Sequence, residues 1–406
     1  MTNHKSPTLP GERDGFIDSL RGVAVFGILL SNILIFSGFL FTPFIRLEQY
    51  GLPELNGFLY TLSQIFISGK FYPIFCILFG YGFYMQVQKF SRADSPFLSY
   101  FSKRLFYLLI IGLLHQLIWP GDVVTTYALI GFMFLAVRNS SQKQDLLLAI
   151  VFFLVSFFIG LIPFLFPPAT AVVQSAVQPI SYFSFPGVEN AELIQQVRHG
   201  GISGMYYFYK PQYTFLWSTT RLIRTTPSVI ALFFLGGFLF KSGYIKNHIH
   251  KTRHLVSLLL IGAIGTILYL NVAYGFRLID NLFLSLFYIG FLARLQRMGI
   301  GKWILNRFIP VGRMALTSYI LQSVFCIMIF YGIGGIGLFA RLALYQVYLI
   351  AAVILLIQIV FCNLWLNRFR FGPVEWIWRC LSYQKWITLR IGKGNQPSVD
   401  GIRPIK

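Results

Sequence analysis

Leu105–Leu135 reads LFYLLIIGLLHQLIWPGDVVTTYALIGFMFL. Two apolar runs of about 15 residues meet there at a Trp-Pro-Gly-Asp turn, whereas a full crossing of a ~30 Å hydrocarbon layer takes about 20. The turn therefore reads as submerged below the membrane surface, with His115 and Asp122 on either side of it. Ionisable side chains at that depth are costly and face a bundle interior or a wet cavity. The stretch predicts an all-α transmembrane bundle with a functional pocket at this hairpin. The plainer reading of each residue stands beside it: an Asp after Pro-Gly caps the next helix, and a membrane His ties helices together.

The rest of the chain agrees with a membrane setting. Of 406 residues, 56% are hydrophobic and 12% charged, about half the charge fraction of soluble domains. Net charge is +21. In a soluble chain that balance points to nucleic acid, but here the cations cluster in alternate loops, as cytoplasmic segments beside anionic lipid do. No nucleic-acid partner is expected. Cys76, Cys326, Cys362 and Cys380 lie in or beside apolar runs without metal-like spacing, so they read as small buried hydrophobes. His248, His250 and His254 share a basic loop with no acidic or Cys partner, and no metal is expected.

Residues 1–15 form a polar tail, and the first apolar run is too long for a cleavable signal. The expected spans are Phe16–Phe41, Gly57–Val87, the two hairpin arms, Asp145–Phe166, Phe215–Phe240, Leu255–Tyr274, Leu278–Leu295, Met314–Gly332 and Tyr345–Leu366. That makes about ten, with N and C termini cytoplasmic, in a single integral membrane domain over residues 1–406. Residues 167–213 read as a long extracytoplasmic loop with a short helix at Glu189–Arg198, and residues 367–406 as a basic cytoplasmic tail. Gly299–Arg313 reads as an amphipathic segment on the inner face. No internal repeat is visible, which weighs against an inverted-repeat transporter.

Several polar residues fall in apolar surroundings. Asp18 and Arg21 form an i,i+3 pair at the mouth of the first span, as a snorkelling ion pair or as part of a site. Lys70 sits in SGKFYP, where Pro73 is expected to kink the span; it is a surface anchor or a cavity cation. Arg221 and Arg224 share one helix face, either snorkelling to phosphates or binding an anion. Ser318, Tyr319, Gln322 and Ser323 make a polar stripe on the ninth span. The candidate substrate-binding set is Asp18, Arg21, Lys70, Trp119, Tyr127, Arg221, Arg224, Arg313 and Gln322.

Four segments occur in the order found in the YeiB-like family, domain of unknown function 418: RDGFIDSLRGVAVFGILLSNI (13–33), SGKFYPIFCILFGYGF (68–83), RLFYLLIIGLLHQLIWPGDVVTTYALIG (104–131), and GRMALTSYILQS…NRFRFGPVEWIWRCLSY (312–383). The resemblance spans nearly the whole chain. The DSLRG opening also resembles the acyltransferase type 3 and heparan-α-glucosaminide N-acetyltransferase groups. That similarity implies acyl transfer from cytoplasmic acyl-CoA, as donor substrate, to an envelope sugar, lipid or small metabolite at a bacterial inner membrane. The type 3 group has an Arg and a His on its first span with ten residues between them. Arg21 matches the Arg, but Asn32 stands at the His position and cannot take a proton near neutral pH. A base must then come from elsewhere. His115 with Asp122 as its orienter is the candidate pair, with Asn32 as a donor to a developing oxyanion. The rival expectation is a transporter or exporter of an anionic or amphipathic small molecule. Membrane lipids and a glycan, lipid or small-molecule acceptor are the partners implied, with a homodimer left open.

Overall fold

The computed structural model describes residues 14–41, 52–91, 97–165, 190–333, 336–391 and 403–404. Apart from one two-residue strand pair, Lys385–Trp386 with Arg403–Pro404, its regular structure is helical. In chain order the helices are α1 Gly15–Phe36, α2 Pro53–Phe66, α3 Phe71–Ser91, α4 Phe97–Gln116, α5 Val124–Ala136 and α6 Gln142–Leu165. There follow α7 Asn190–His199, α8 Gly201–Leu216, α9 Thr219–Ser242, α10 Tyr244–Asn247, α11 Thr252–Asn271 and α12 Arg277–Leu295. The last five are α13 Gly299–Asn306, α14 Ile309–Arg313, α15 Ala315–Phe330, α16 Leu344–Arg368 and α17 Pro373–Tyr383.

Eight helical stretches among the described residues are long and apolar enough to cross a membrane, with Pro53–Phe90 counted as one; α5 and α15 are apolar but shorter. The outward faces agree with a lipid environment. Leu147, Ile150, Leu154 and Phe158 on α6 are exposed, as are Leu349, Leu356 and Val360 on α16. Lipid tails solvate such faces at no cost, so helices here pack through close approach rather than hydrophobic exclusion. The protein is a polytopic membrane protein.

Local chemistry explains several boundaries. Asp14 accepts the Phe16 and Ile17 amides at 3.1 and 3.4 Å and so starts α1. The interruption between α2 and α3 is made by Gly69, whose φ of +82° is strained for any residue with a Cβ. Pro73 instead lies in the first turn of α3, where no intrahelical donor is needed. The expected proline kink is thus a glycine break four residues earlier. At the start of α1 and end of α14, Gly22 and Gly312 let two backbones touch: a Cβ at Gly312 would lie 1.7 Å from the Asp18 carbonyl oxygen. That contact fixes Arg313 beside Asp18.

The connection ahead of α9 is helical from residue 190 onward, and the short helix expected at Glu189–Arg198 is α7. Its partner α8 packs over the α4–α5 turn. Tyr213 Oη donates to the Gln116 carbonyl at 2.6 Å and Tyr206 Oη to that of Leu117 at 2.9 Å, satisfying acceptors that the end of α4 leaves open. Phe208 and Tyr209 are fully buried there.

Candidate functional site

His115 lies in the last turn of α4, eleven residues beyond Arg104, which is about 16 Å along the axis. α5 has 13 residues, about 20 Å, shorter than a ~30 Å layer. The two arms are therefore unequal, where the sequence suggests two short ones: α4, with 20 residues, is long enough to cross, and only α5 is short.

The turn closes on itself before it presents the site. The Ile118 and Trp119 amides both donate to the His115 carbonyl, at 3.0 and 2.9 Å. Asp122 then uses both carboxylate oxygens: Oδ1 lies 2.8 Å from His115 Nδ1, and Oδ2 accepts the Thr125 N–H at 2.7 Å. Cap and imidazole partner are therefore one residue, with one oxygen for each task. On the other side of the ring, His115 Nε2 is 2.9 Å from Ser323 Oγ on α15. All three side chains are buried, at 3%, 0% and 2% exposure. With Nδ1–H donated to Asp122, the lone pair sits on Nε2 and accepts the Ser323 hydroxyl. The Tyr319 ring lies 4.8 Å from the imidazole.

Tyr319 also lines a cavity of about 700 Å³ between α1, α3, α4, α5, α14, α15 and α17, a size typical of small-molecule sites. Its mouth lies at the basic end of the bundle and carries Arg21, Lys89, Arg104, Arg313 and Arg379; its depth is lined by Ile28, Phe75, Phe79, Leu108, Val124 and Tyr127. The acids in the mouth are committed elsewhere. Asp18 bonds Arg21 at 2.8 Å, Asp14 caps α1, and Glu375 accepts the Leu316 and Thr317 amides that open α15. Burial lowers the pKa of Arg313, opposed by the Asp18 carboxylate, and lowers that of Arg379, with Arg104 adding to the effect. Guanidinium groups stay charged nonetheless, so an anion here would relieve them. Flat surfaces flank the cations: Arg104 lies 4.0 Å over the Trp378 ring, and the Tyr100 and Tyr383 rings are 4.7 Å apart.

The structure brings some of the predicted residues together and separates others. Asp18, Arg21, Tyr127 and Arg313 line the cavity, and His115 and Asp122 meet directly behind Tyr319. Asn32 is only half-buried and does not line the cavity; no hydrogen bond joins it to the His115 cluster. Trp119 stacks on Phe36 at 3.8 Å, on the side of the turn facing α8. Gln322 points away from the cavity and bonds Gln358 of α16 at 2.9 Å. Lys70 is neither a surface anchor nor a cavity cation. Its ammonium is fully buried and donates to the Gln64 and Ser68 carbonyls and, at 2.6 Å, to Asp280. Arg224 lies on α9 outside the cavity lining, and its carbonyl accepts from Ser156 at 3.4 Å. The Arg221 side chain falls outside the described residues.

Sequence reasoning did not single out Lys89, Glu375, Trp378 or Arg379 for the cavity. The signal for the last three was present in EWIWRC, a strongly amphipathic stretch in a tail read as basic, with tryptophans suited to the membrane interface. Ser323 was visible as part of a polar stripe, without its partner.

An all-α polytopic membrane protein with a cavity of mixed cationic and apolar lining and a buried Ser–His–Asp cluster is the class that fold and site define. A family described as a protein of unknown function (DUF418) matches residues 239–385. The uncharacterized protein YxaH of Bacillus subtilis is 30% identical over 402 residues, covering 94% of this chain and 96% of YxaH. The uncharacterized protein YeiB of Escherichia coli is 27% identical over 407 residues, 91% of this chain and 96% of its own length. An uncharacterized 39.9 kDa protein in the amylase 3′ region of Bacillus acidopullulyticus is 27% identical, over 95% and 99%. The chain belongs to the DUF418 family. No solved structure matches it.

Proposed function

We propose that this chain is an acyltransferase of the bacterial inner membrane, crossing ten times with both termini cytoplasmic. It takes acyl-CoA from the cytoplasm into the cavity and transfers the acyl group to a hydroxyl of an envelope sugar, lipid or small metabolite. One observation carries the reading: the cavity pairs a cationic, aromatic mouth with an apolar depth bounded by Tyr319, whose ring lies against the buried His115. CoA has the matching profile, with phosphates and an adenine ring at one end and an acyl thioester at the other. Arg21, Arg104, Arg313 and Arg379 hold phosphate; Trp378, Tyr100 and Tyr383 offer faces for a purine; Phe75, Phe79 and Leu108 receive the chain. His115, held in one tautomer by Asp122, supplies the base.

Ten crossings follow if α5 and α15, the two short apolar helices, each pass through a layer thinned or filled locally by the hairpin turn and by α8. The Lys/Arg-rich ends then all fall on one side, the cytoplasmic one. The test is saturable binding of acetyl-CoA and palmitoyl-CoA to detergent-solubilised protein, read by titration calorimetry or native mass spectrometry. Binding that weakens in Arg21→Ala and Arg313→Ala is expected. No binding at millimolar ligand sinks the assignment and leaves an exporter of amphipathic anions, for which the same cavity profile would serve.

A further inference from the structure

Resting on that acyl-transfer reading, we propose that Ser323 is the nucleophile of a covalent relay, accepting the acyl group from CoA before it passes to the acceptor. Both ring nitrogens of the base are already engaged. His115 Nε2, the nitrogen that would take a proton from an acceptor, is occupied by Ser323 Oγ at 2.9 Å. Nδ1 is held by Asp122 at 2.8 Å. The first proton within reach of this base is therefore the one on Ser323. Nucleophile to base and base to orienter both fall within hydrogen-bond reach, the geometry that activates a serine.

A plain interhelical tie between α4 and α15 would use the same two residue types, so the manner of bonding matters. Serines and threonines in apolar helices commonly return their hydroxyl to the carbonyl three or four residues earlier. Ser257 bonds the Arg253 carbonyl in this way, Ser19 that of Phe16, and Ser228 that of Thr225. Ser323 instead spends its hydroxyl on the imidazole. The imidazole in turn is aimed by a fully buried carboxylate that also anchors the first turn of α5, so the ring cannot swing without breaking a helix start. Rigid aim of this kind is unnecessary for a tie and necessary for proton transfer.

Position fits as well. Ser323 lies one turn beyond Tyr319 on α15, and Tyr319 bounds the cavity while its ring lies against His115. A thioester at the deep end of the cavity is thus one side chain from Ser323. The steps balance without a co-reactant. Ser323 Oγ attacks the thioester carbonyl as its proton passes to His115 Nε2; the C–S bond breaks and CoA leaves as the thiol, taking that proton. The acceptor hydroxyl then gives its proton to Nε2 and attacks the Ser323 ester. The ester C–O bond breaks, and Ser323 recovers its proton from the imidazolium.

The test is acid-quenched incubation of full-length protein with radiolabelled acetyl-CoA or palmitoyl-CoA, followed by digestion and mass mapping. An acyl group on the peptide carrying Ser323 is expected, absent in Ser323→Ala and in His115→Ala. Ser323→Cys keeps a nucleophile in place should the alanine variant not fold, and its adduct should be a thioester, released by neutral hydroxylamine where the serine ester is not. Wild-type protein that binds acyl-CoA saturably yet carries no acyl group on Ser323 overturns the covalent step alone. Acyl transfer undiminished in Ser323→Ala overturns it too. Absence of any acyl-CoA binding overturns the reading beneath it, and the relay with it.

Discussion

Glu375 on α17 and Thr317 on α15 are joined by two hydrogen bonds: Thr317 Oγ1 donates to Glu375 Oε2 at 2.5 Å and the Thr317 amide to Oε1 at 3.0 Å, while the neighbouring Leu316 amide also donates to Oε1, at 2.8 Å. The helix that carries Tyr319 and Ser323 thus begins on a carboxylate supplied from the C-terminal tail. No residue just before α15 caps it, so the tail is part of the site's frame.

That arrangement carries a pH signature. Burial raises the Glu375 pKa above its ordinary 4.5, with the bonds from Thr317 and Leu316 opposing. The folded state therefore binds this proton more tightly than the unfolded state. Its contribution to stability is fully present below 4.5 and is lost as pH rises through the native value. Melting temperature in detergent, followed from pH 4 to pH 8, should fall across that window in the wild type and lose this component in Glu375→Gln. Glu375→Ala leaves two buried amides without an acceptor and should cost about 1–3 kcal/mol. A flat wild-type profile would refute the assignment.

Asp122 allows its two tasks to be separated. In Asp122→Asn the amide oxygen still accepts the Thr125 N–H, so the start of α5 is kept and stability should change by no more than ~1 kcal/mol. The amide NH2 then faces His115 Nδ1, which must accept, and Nε2 becomes the protonated nitrogen. The base is lost with the fold intact, and acyl transfer should drop about 10²–10⁴-fold. Asp122→Ala loses both functions. Equal transfer rates for wild type and Asp122→Asn would make Asp122 a cap only.

How much of this was legible in the sequence follows from contact range. The His115–Asp122 hairpin was readable because Pro-Gly and the two ionisable residues fall within one stretch of 31 residues. The amphipathic Gly299–Arg313 segment and α7 were likewise local patterns. What decides the site is not local. Ser323 is 208 positions from His115, Asp280 is 210 from Lys70, and Glu375 is 58 from Thr317. No hydrophobic period encodes which polar residues on separate helices face one another. Lys70 was visible as an anomaly in its span, but nothing in that segment pointed to Asp280.

The Lys70–Asp280 pair predicts stability rather than binding. Both groups are fully buried, and Asp280 Oδ1 accepts a further bond from Thr266 at 2.9 Å. Removing one partner leaves an uncompensated charge, so Lys70→Met should destabilise by about 3–5 kcal/mol. The double variant Lys70→Met/Asp280→Leu should recover most of that loss. Because the pair lies outside the cavity, the folded fraction of each variant should bind acyl-CoA as the wild type does. Thermal unfolding and binding measured on the same samples separate the two effects. Weakened binding by correctly folded Lys70→Met would instead place Lys70 in a substrate path.

Arg104 and Arg379 predict how binding responds to salt and to the ligand's phosphates. Both line the mouth, and burial plus mutual repulsion lowers the Arg379 pKa; an anion between them removes that repulsion. Arg104→Gln should weaken acyl-CoA binding roughly tenfold, or about 1.4 kcal/mol, and flatten its dependence on ionic strength, since exposed charges are screened over ~10 Å at 0.1 M salt. Removing the 3′-phosphate of the ligand should weaken wild-type binding but change Arg104→Gln much less, because ligand charge and receptor charge act through one contact. Phe79→Ala, in the apolar depth, should instead weaken palmitoyl-CoA more than acetyl-CoA and leave the salt dependence unchanged. If the two substitutions affect both ligands and the salt slope alike, the cavity does not divide into a phosphate mouth and an acyl depth, and the orientation proposed for CoA is wrong.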